Sequence, residues 1–150
     1  MSPFTRLQPT IRVLLADDTP DIRKLLRVNL ELDGRFEIVG EAADGAEAVA
    51  LTRFLRPDAV VLDLAMPVMD GLQAAPLIRQ CSPESRILAL SGFDHTRMEA
   101  RAREQGADGY LEKGTAFGLI AETLADLCLA GVPERSRSAR AGAGGRAARD

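Results

Sequence analysis

The chain has no tryptophan, one tyrosine, one histidine and two cysteines in 150 residues. With His95 as the sole histidine, neither a histidine-based metal site nor a serine–histidine–aspartate triad has spare parts. His95 reads as a surface or helix-start residue. Cys81 and Cys128 have neither CxxC spacing nor a histidine beside them, so they read as reduced, mostly buried small apolar side chains. No apolar run approaches the roughly 20 residues that span a bilayer. The start Met1-Ser2-Pro3-Phe4-Thr5-Arg6 lacks the apolar core of a secretory signal. The expectation is a cytoplasmic protein without a membrane partner.

A large excess of either charge is also missing, with 19 Lys and Arg against 22 Asp and Glu and a net charge of −3. The balance is uneven along the chain. Residues 131–150 carry Arg135, Arg137, Arg140, Arg146 and Arg149 against Glu134 and Asp150, which leaves −6 for the rest. This Arg/Ala/Gly-rich stretch has almost no large apolar residue, so ordering it would bury too little surface to offset the lost entropy. It is expected to be disordered, after a domain at about 10–130 and a short extension at 1–9. Five arginines without interleaved aromatics are weak grounds for nucleic-acid binding.

What the sequence does have is an alternation of apolar runs with amphipathic segments, five times over, as in a parallel α/β sheet. Strands are expected at about 11–16, 36–40, 58–62, 86–90 and 108–111. The first, third and fourth are almost continuously apolar, as central strands buried on both faces are, and the short alternating second suits an edge. The first helix opens at Thr19-Pro20-Asp21 and presents Ile22, Leu25, Leu26 and Leu30. The second follows Asp44-Gly45, sets Ala46, Val49, Ala50 and Leu51 against the sheet and ends by Arg56-Pro57. The third spans Gly71 to Gln80 with Pro76 inside, where a kink is expected. The fourth runs from His95 to Gln105 with Gly106 as its stop, and the fifth from Thr115 to Leu129.

Four of the apolar runs end in chemistry. Ile11-Arg12-Val13-Leu14-Leu15-Ala16 precedes Asp17-Asp18, Ala59-Val60-Val61-Leu62 precedes Asp63, Ile87-Leu88-Ala89-Leu90 precedes Ser91, and Gly109-Tyr110-Leu111 precedes Glu112-Lys113. Open parallel sheets bind ligands at the carboxyl ends of their strands, so these residues should converge. Taken singly, each has a plainer reading. An aspartate after a strand is a turn former or helix cap, a lone lysine is solvated surface, and Ser91-Gly92 is a turn. Together Asp17, Asp18 and Asp63 suit Mg²⁺, which takes hard oxygen ligands, usually with phosphate. Without a cation they would repel one another and raise at least one pKa. Asp63 then reads as a nucleophile on phosphorus, Lys113 as a point charge for a phosphoryl oxygen and Ser91 as a hydrogen-bond donor.

The segments Leu15-Ala16-Asp17-Asp18, Val61-Leu62-Asp63-Leu64-Ala65-Met66-Pro67-Val68-Met69-Asp70-Gly71, Leu90-Ser91-Gly92 and Gly106-Ala107-Asp108-Gly109-Tyr110-Leu111-Glu112-Lys113 resemble those of a response-regulator receiver domain. The likeness covers about residues 10–130. It implies the flavodoxin-like doubly wound (βα)₅ fold, with a parallel sheet of order 2-1-3-4-5. It further implies that Asp63 accepts a phosphoryl group from a sensor histidine kinase, and that Mg²⁺ is held by Asp18, Asp63 and the Ala65 main-chain carbonyl with Asp17 nearby. Ser91 and Tyr110 resemble the switch pair that carries the signal. The fourth helix, fifth strand and fifth helix would form the readout face, also offered for a homodimer. Such a protein is a phosphoacceptor rather than an enzyme acting on a separate substrate, with Mg²⁺-dependent self-phosphorylation and slow autodephosphorylation. Gly114 departs from the proline that follows the lysine in many relatives, which suggests a more mobile loop. Ala65 and Phe93 stand at positions that tune phosphoryl lifetime in similar proteins.

Output is the open part of this reading. The roughly twenty residues after Leu129 lack the helical periodicity of a helix-turn-helix module, so direct sequence-specific DNA binding is not expected. A stand-alone receiver signalling to an unidentified downstream protein fits, as does a receiver fragment of a DNA-binding regulator or a receiver-like module that is never phosphorylated. An aspartyl phosphohydrolase fits less well, because Ala65 stands where such enzymes carry their general acid.

Overall fold

A computed structural model describes residues 10–92 and 95–129, the side chains of residues 95 and 96 excepted. The extension at 1–9, Phe93 and the basic stretch at 131–150 lie outside the described residues. Five strands, β1 (Ile11–Ala16), β2 (Phe36–Ala42), β3 (Ala59–Asp63), β4 (Arg86–Ser91) and β5 (Gly109–Glu112), form one parallel sheet of order β2-β1-β3-β4-β5. Between them lie α1 (Pro20–Asp33), α2 (Gly45–Leu55), α3 (Gly71–Cys81) and α4 (His95–Glu104), and residues 117–129 form α5. This is the flavodoxin-like order, with the three apolar strands inside.

Successive strand residues point to opposite faces, so a central strand must be apolar throughout. Leu14, Val60, Leu62, Ile87 and Ala89 meet Ala48, Ala74, Ile78 and Ala102 of α2, α3 and α4 on one face. Val13, Leu15, Val61, Leu88 and Leu90 meet Leu26, Leu30, Ile120 and Leu124 of α1 and α5 on the other. Burying a leucine or isoleucine side chain contributes about 1.5–3 kcal/mol, so these two layers supply most of the driving force.

Several local expectations need correcting. β2 continues to Ala42, because a register shift between Val13 and Leu14 re-pairs Gly40, Glu41 and Ala42 with Leu14, Leu15 and Ala16. The buried face of α2 is Gly45, Ala48, Val49 and Thr52, whereas Ala46 and Ala50 are exposed. On α1, Leu25 points to solvent and only Leu26 and Leu30 are fully buried. α3 runs unbroken through Pro76 to Cys81, opened by a capping box in which Asp70 and Gln73 bond each other's backbone N–H. Helix α5 begins two residues later than Thr115, which instead accepts the turn by donating from both its N–H and its hydroxyl to the Glu112 carbonyl. Cys81 and Cys128 are free thiols as expected but only half-buried.

Candidate functional site at the carboxyl edge of the sheet

Parallel pairing places Ala16 of β1 beside Leu62 of β3 and Asp63 beside Leu90 of β4, while Ser91 lies beside Glu112 of β5. The residues that follow each strand are thereby gathered on one edge. Carboxylate oxygens of Asp17, Asp18 and Asp63 come within 4.8 Å of one another. Asp17 and Asp63 are buried to 1% exposure, whereas Asp18 is exposed, so the cluster has a dry floor and one wet wall. Lys113 reaches in from the β5 end, its Nζ 3.0 Å from Asp63 Oδ2 and 3.1 Å from Asp17 Oδ2. Its backbone N–H donates to the Ser91 carbonyl at 2.8 Å, which ties the β5 loop to the end of β4. Ser91 itself is buried.

Backbone donors hold the two buried carboxylates in place. The Thr19 N–H donates to Asp17 Oδ1 at 2.8 Å and the Ala65 N–H to Asp63 Oδ1 at 3.0 Å. Arg23 fixes the β1 loop from outside, with Nη1 donating to the Asp17 carbonyl at 2.6 Å and Nε to Glu41 at 3.0 Å. Sequence reasoning missed Arg23 and Glu41, since one lies in an amphipathic helix and the other in the part of β2 that was not expected. The loop after Asp63 turns sharply at Val68, which adopts φ +69 and lets the Met69 N–H donate to the Pro67 carbonyl at 2.6 Å. A β-branched residue is strained there, and strain of this kind collects at functional loops. Gly114 takes φ +94, a value proline cannot adopt, so the lysine loop follows a different path from one with proline at that position.

Charge in the cluster is unequally shared. Burial pushes the Asp63 carboxyl above its ordinary range. The hydrogen bonds from Ala65 and Lys113 pull it down, and the Asp17 charge adds to the rise. Lys113 is depressed by burial, but its bonds to Asp63 and Asp17 outweigh that and hold its ammonium above the usual lysine value. Both partners of this ion pair are therefore shifted upward, because burial dominates at Asp63 while the single cation serves two carboxylates. Asp63 is left under-compensated while the lysine is over-served. Hard oxygens with an unpaid negative balance are the donor set that a small divalent cation fits.

Tyr110 is buried in the layer that also holds Ile87, Ala89, Ala102 and Ala107, so its ring lies inward against α4. The structure therefore brings Asp17, Asp18, Asp63 and Lys113 together, places Ala65 beside Asp63 through its amide, and sets Ser91 and Tyr110 on the two strands that adjoin them.

The sequence profile of the response regulator receiver domain matches residues 13–125. This chain belongs to that family. It is 36% identical over 115 residues to the response regulator protein VraR of Staphylococcus aureus, an alignment covering 77% of this chain and 55% of that protein. The chain thus spans about half the length of the curated relatives it matches. Among solved structures, the signal receiver domain of the response regulator NarL from Mycobacterium tuberculosis superposes with a TM-score of 0.77 at 36% identity, covering 81% of this chain and 98% of that one. A DNA-binding response regulator of the LuxR family from S. aureus superposes with a TM-score of 0.73 at 25% identity, covering 78% and 96%. The receiver is a component of two-component signalling, and receivers of this family are phosphorylated by histidine kinases. Among the described residues no helix is long and apolar enough to cross a membrane.

Proposed function

We propose that Asp63 is the phosphoacceptor of this receiver, a cytoplasmic protein that takes its phosphoryl group from the phosphohistidine of a sensor histidine kinase. The observation that carries the reading is a buried carboxylate 3.0 Å from a lysine ammonium, with two further carboxylates within 4.8 Å. An Asp63 oxygen forms the new P–O bond while the P–N bond to the imidazole breaks, its electron pair returning to the ring. Mg²⁺ bound by Asp17, Asp18, Asp63 and the Ala65 carbonyl would neutralise the acids and polarise the phosphoryl oxygens. Lys113 transfers its pairing from the Asp63 carboxylate to a phosphoryl oxygen. The Ser91 hydroxyl donates to another, and Tyr110 holds the inward position behind it, which biases the face built on α4, β5 and α5.

The chain acts as an acceptor rather than a catalyst for others, and it signals through a protein that docks on that face. A second reading, the receiver portion of a DNA-binding regulator, is favoured by the 55% share of VraR that the chain covers and by the DNA-binding LuxR-family neighbour. Intact-mass spectrometry after incubation with Mg²⁺ and acetyl phosphate tests the site. One phosphoryl adduct on wild type and none on Asp63→Asn is expected. An adduct of equal stoichiometry on both would move the acceptor elsewhere.

A further inference from the structure

Asp17 and Asp63 are each held twice, by a backbone N–H on one carboxylate oxygen and by the Lys113 ammonium on the other. Asp18 forms the exposed wall of the cluster, and among the described residues no donor holds its carboxylate. Its aim is therefore set by the backbone that carries it. The peptide that joins Asp17 to Asp18 is planar, so fixing the Asp17 carbonyl oxygen fixes the direction in which the chain enters Asp18. Arg23 fixes that oxygen, its Nη1 donating to it at 2.6 Å.

Arg23 lies in the first turn of α1, where its own N–H donates to the Thr19 carbonyl at 3.1 Å. Its side chain, 18% exposed, folds back toward the strand end rather than out into water. Glu41 of β2 turns it that way. One Glu41 oxygen accepts from Arg23 Nε at 3.0 Å and the other from Arg27 Nε at 2.7 Å. Parallel register sets Glu41 beside Leu15, two residues before Asp17. A single guanidinium thus joins β2, α1 and the turn that bears the acids through two of its nitrogens, as a rigid fork can and an ammonium cannot. Partly exposed ion pairs add little to stability, and pairing with Glu41 alone would not require Nη1 to reach a main-chain oxygen.

We propose that Arg23 is a positioning residue for the metal half of the site: its bond to the Asp17 carbonyl, aimed by Glu41, presets the Asp18 carboxylate for a divalent cation. The inference rests on the reading of Asp17, Asp18 and Asp63 as the Mg²⁺ ligands of this receiver. Mg²⁺ demands near-octahedral oxygens and tolerates little misplacement of them. Residues that orient metal ligands from behind change affinity by about 10–100-fold when replaced. Charge alone predicts the opposite sign, because a guanidinium beside the cluster repels a cation and its removal should tighten binding.

The test is Mn²⁺ binding to the full 150-residue chain, read from the electron paramagnetic resonance signal of the free ion, with Mg²⁺ affinity obtained by competition. Arg23→Lys, which keeps the charge but lacks the fork, and Arg23→Ala should each weaken both ions about tenfold. Arg27→Ala, which loosens Glu41 without touching Asp17, should change affinity by less than about twofold. Acetyl phosphate labelling of the Arg23 variants should need about tenfold more Mg²⁺ for its half-maximal rate and then approach the wild-type maximum, a split that general loosening of the fold would not give. Circular dichroism melts establish that each variant is folded at the titration temperature, and Arg23→Lys decides the matter should Arg23→Ala unfold. Affinity unchanged in Arg23→Lys and equal or tighter in Arg23→Ala, with wild type binding normally, would overturn this inference alone. An equal loss in Arg27→Ala would overturn it as well, by assigning the effect to the whole contact between α1 and β2. A wild-type chain that binds neither ion would bring down the Mg²⁺ reading together with it.

Discussion

The two edges of the sheet are built from the same strands yet treat charge in opposite ways. At the carboxyl edge two buried aspartates and one exposed aspartate share one lysine, and burial leaves Asp63 with a raised pKa. At the amino edge Arg79 spends its guanidinium fully, donating to the carbonyls of Pro83, Ser85 and Gly106 and to Asp108 at 2.6–2.9 Å. One edge keeps an unbalanced charge that a cation and a phosphoryl group can use. The other uses charge as mortar, joining the end of α3 to the loops before β4 and β5. A site poised for chemistry is held away from electrostatic comfort, and the stability it gives up is supplied elsewhere in the fold.

Breaking the mortar should have the larger effect. Arg79→Ala removes four hydrogen bonds at once and strands the part-buried Ser85 and Gly106 carbonyls and the Asp108 carboxylate, so a loss of about 3 kcal/mol is expected. Urea denaturation at equilibrium measures it. A loss under about 0.5 kcal/mol, the ordinary surface range, would show that water replaces this arginine freely.

Next in size is a change that reaches the functional edge through packing alone. A Cβ on Gly71 would stand 2.4 Å from the Asp63 carbonyl and 2.8 Å from the Leu64 Cα, both backbone atoms that cannot swing away. Gly71→Ala should therefore cost about 2 kcal/mol. It should also slow acetyl phosphate labelling by displacing the acceptor strand end. A variant that labels at the wild-type rate with unchanged stability would mean that α3 slides without moving Asp63.

The opposite sign is expected where charge is unbalanced. With metal removed by chelation, Asp63→Asn takes one poorly compensated charge out of the buried pair and should raise stability by about 1 kcal/mol. Equal or lower stability would mean that the Lys113 pairing already balances both acids.

How much of this contrast could be read from the sequence differs between the edges. Asp17, Asp18, Asp63, Ser91 and Lys113 were legible because each ends an apolar run, and a parallel sheet brings strand ends together whatever the details between. The three inner strands followed from runs such as Ala59-Val60-Val61-Leu62, whereas the strand order came from the resemblance to the receiver family. The face of α2 was not legible, since alanines at 46, 48 and 50 fit two helical stripes and only Val49 and Thr52 against the sheet select one. The end of β2 was hidden by Gly40 and Glu41, which break the alternation at the register shift. Arg79 and Arg86 carry no motif at all. An arginine in an amphipathic helix and one before a strand acquire meaning only when folding brings Asp108 between them, 29 and 22 residues further along the chain.

The smallest expected effect concerns the brace behind the acidic cluster. Glu41 is pushed upward by burial, but hydrogen bonds from Arg23 and Arg27 at 3.0 and 2.7 Å outweigh this and hold its carboxyl below the usual range. A depressed pKa in the folded state means that the brace stabilises fully above the unfolded value, near 4.5, and is lost as pH falls through the folded one. The group is partly exposed, so solvent screening limits its worth to less than about 1 kcal/mol. Comparing wild type with Glu41→Gln by thermal melting at pH 7 and at pH 3.5 isolates it. The difference between the two proteins should be present at pH 7 and smaller at pH 3.5. Because Arg23 also donates to the Asp17 carbonyl at 2.6 Å, the same substitution should slow Asp63 labelling slightly at pH 7. A labelling rate unchanged while the melting difference persists would separate the brace from the site it adjoins.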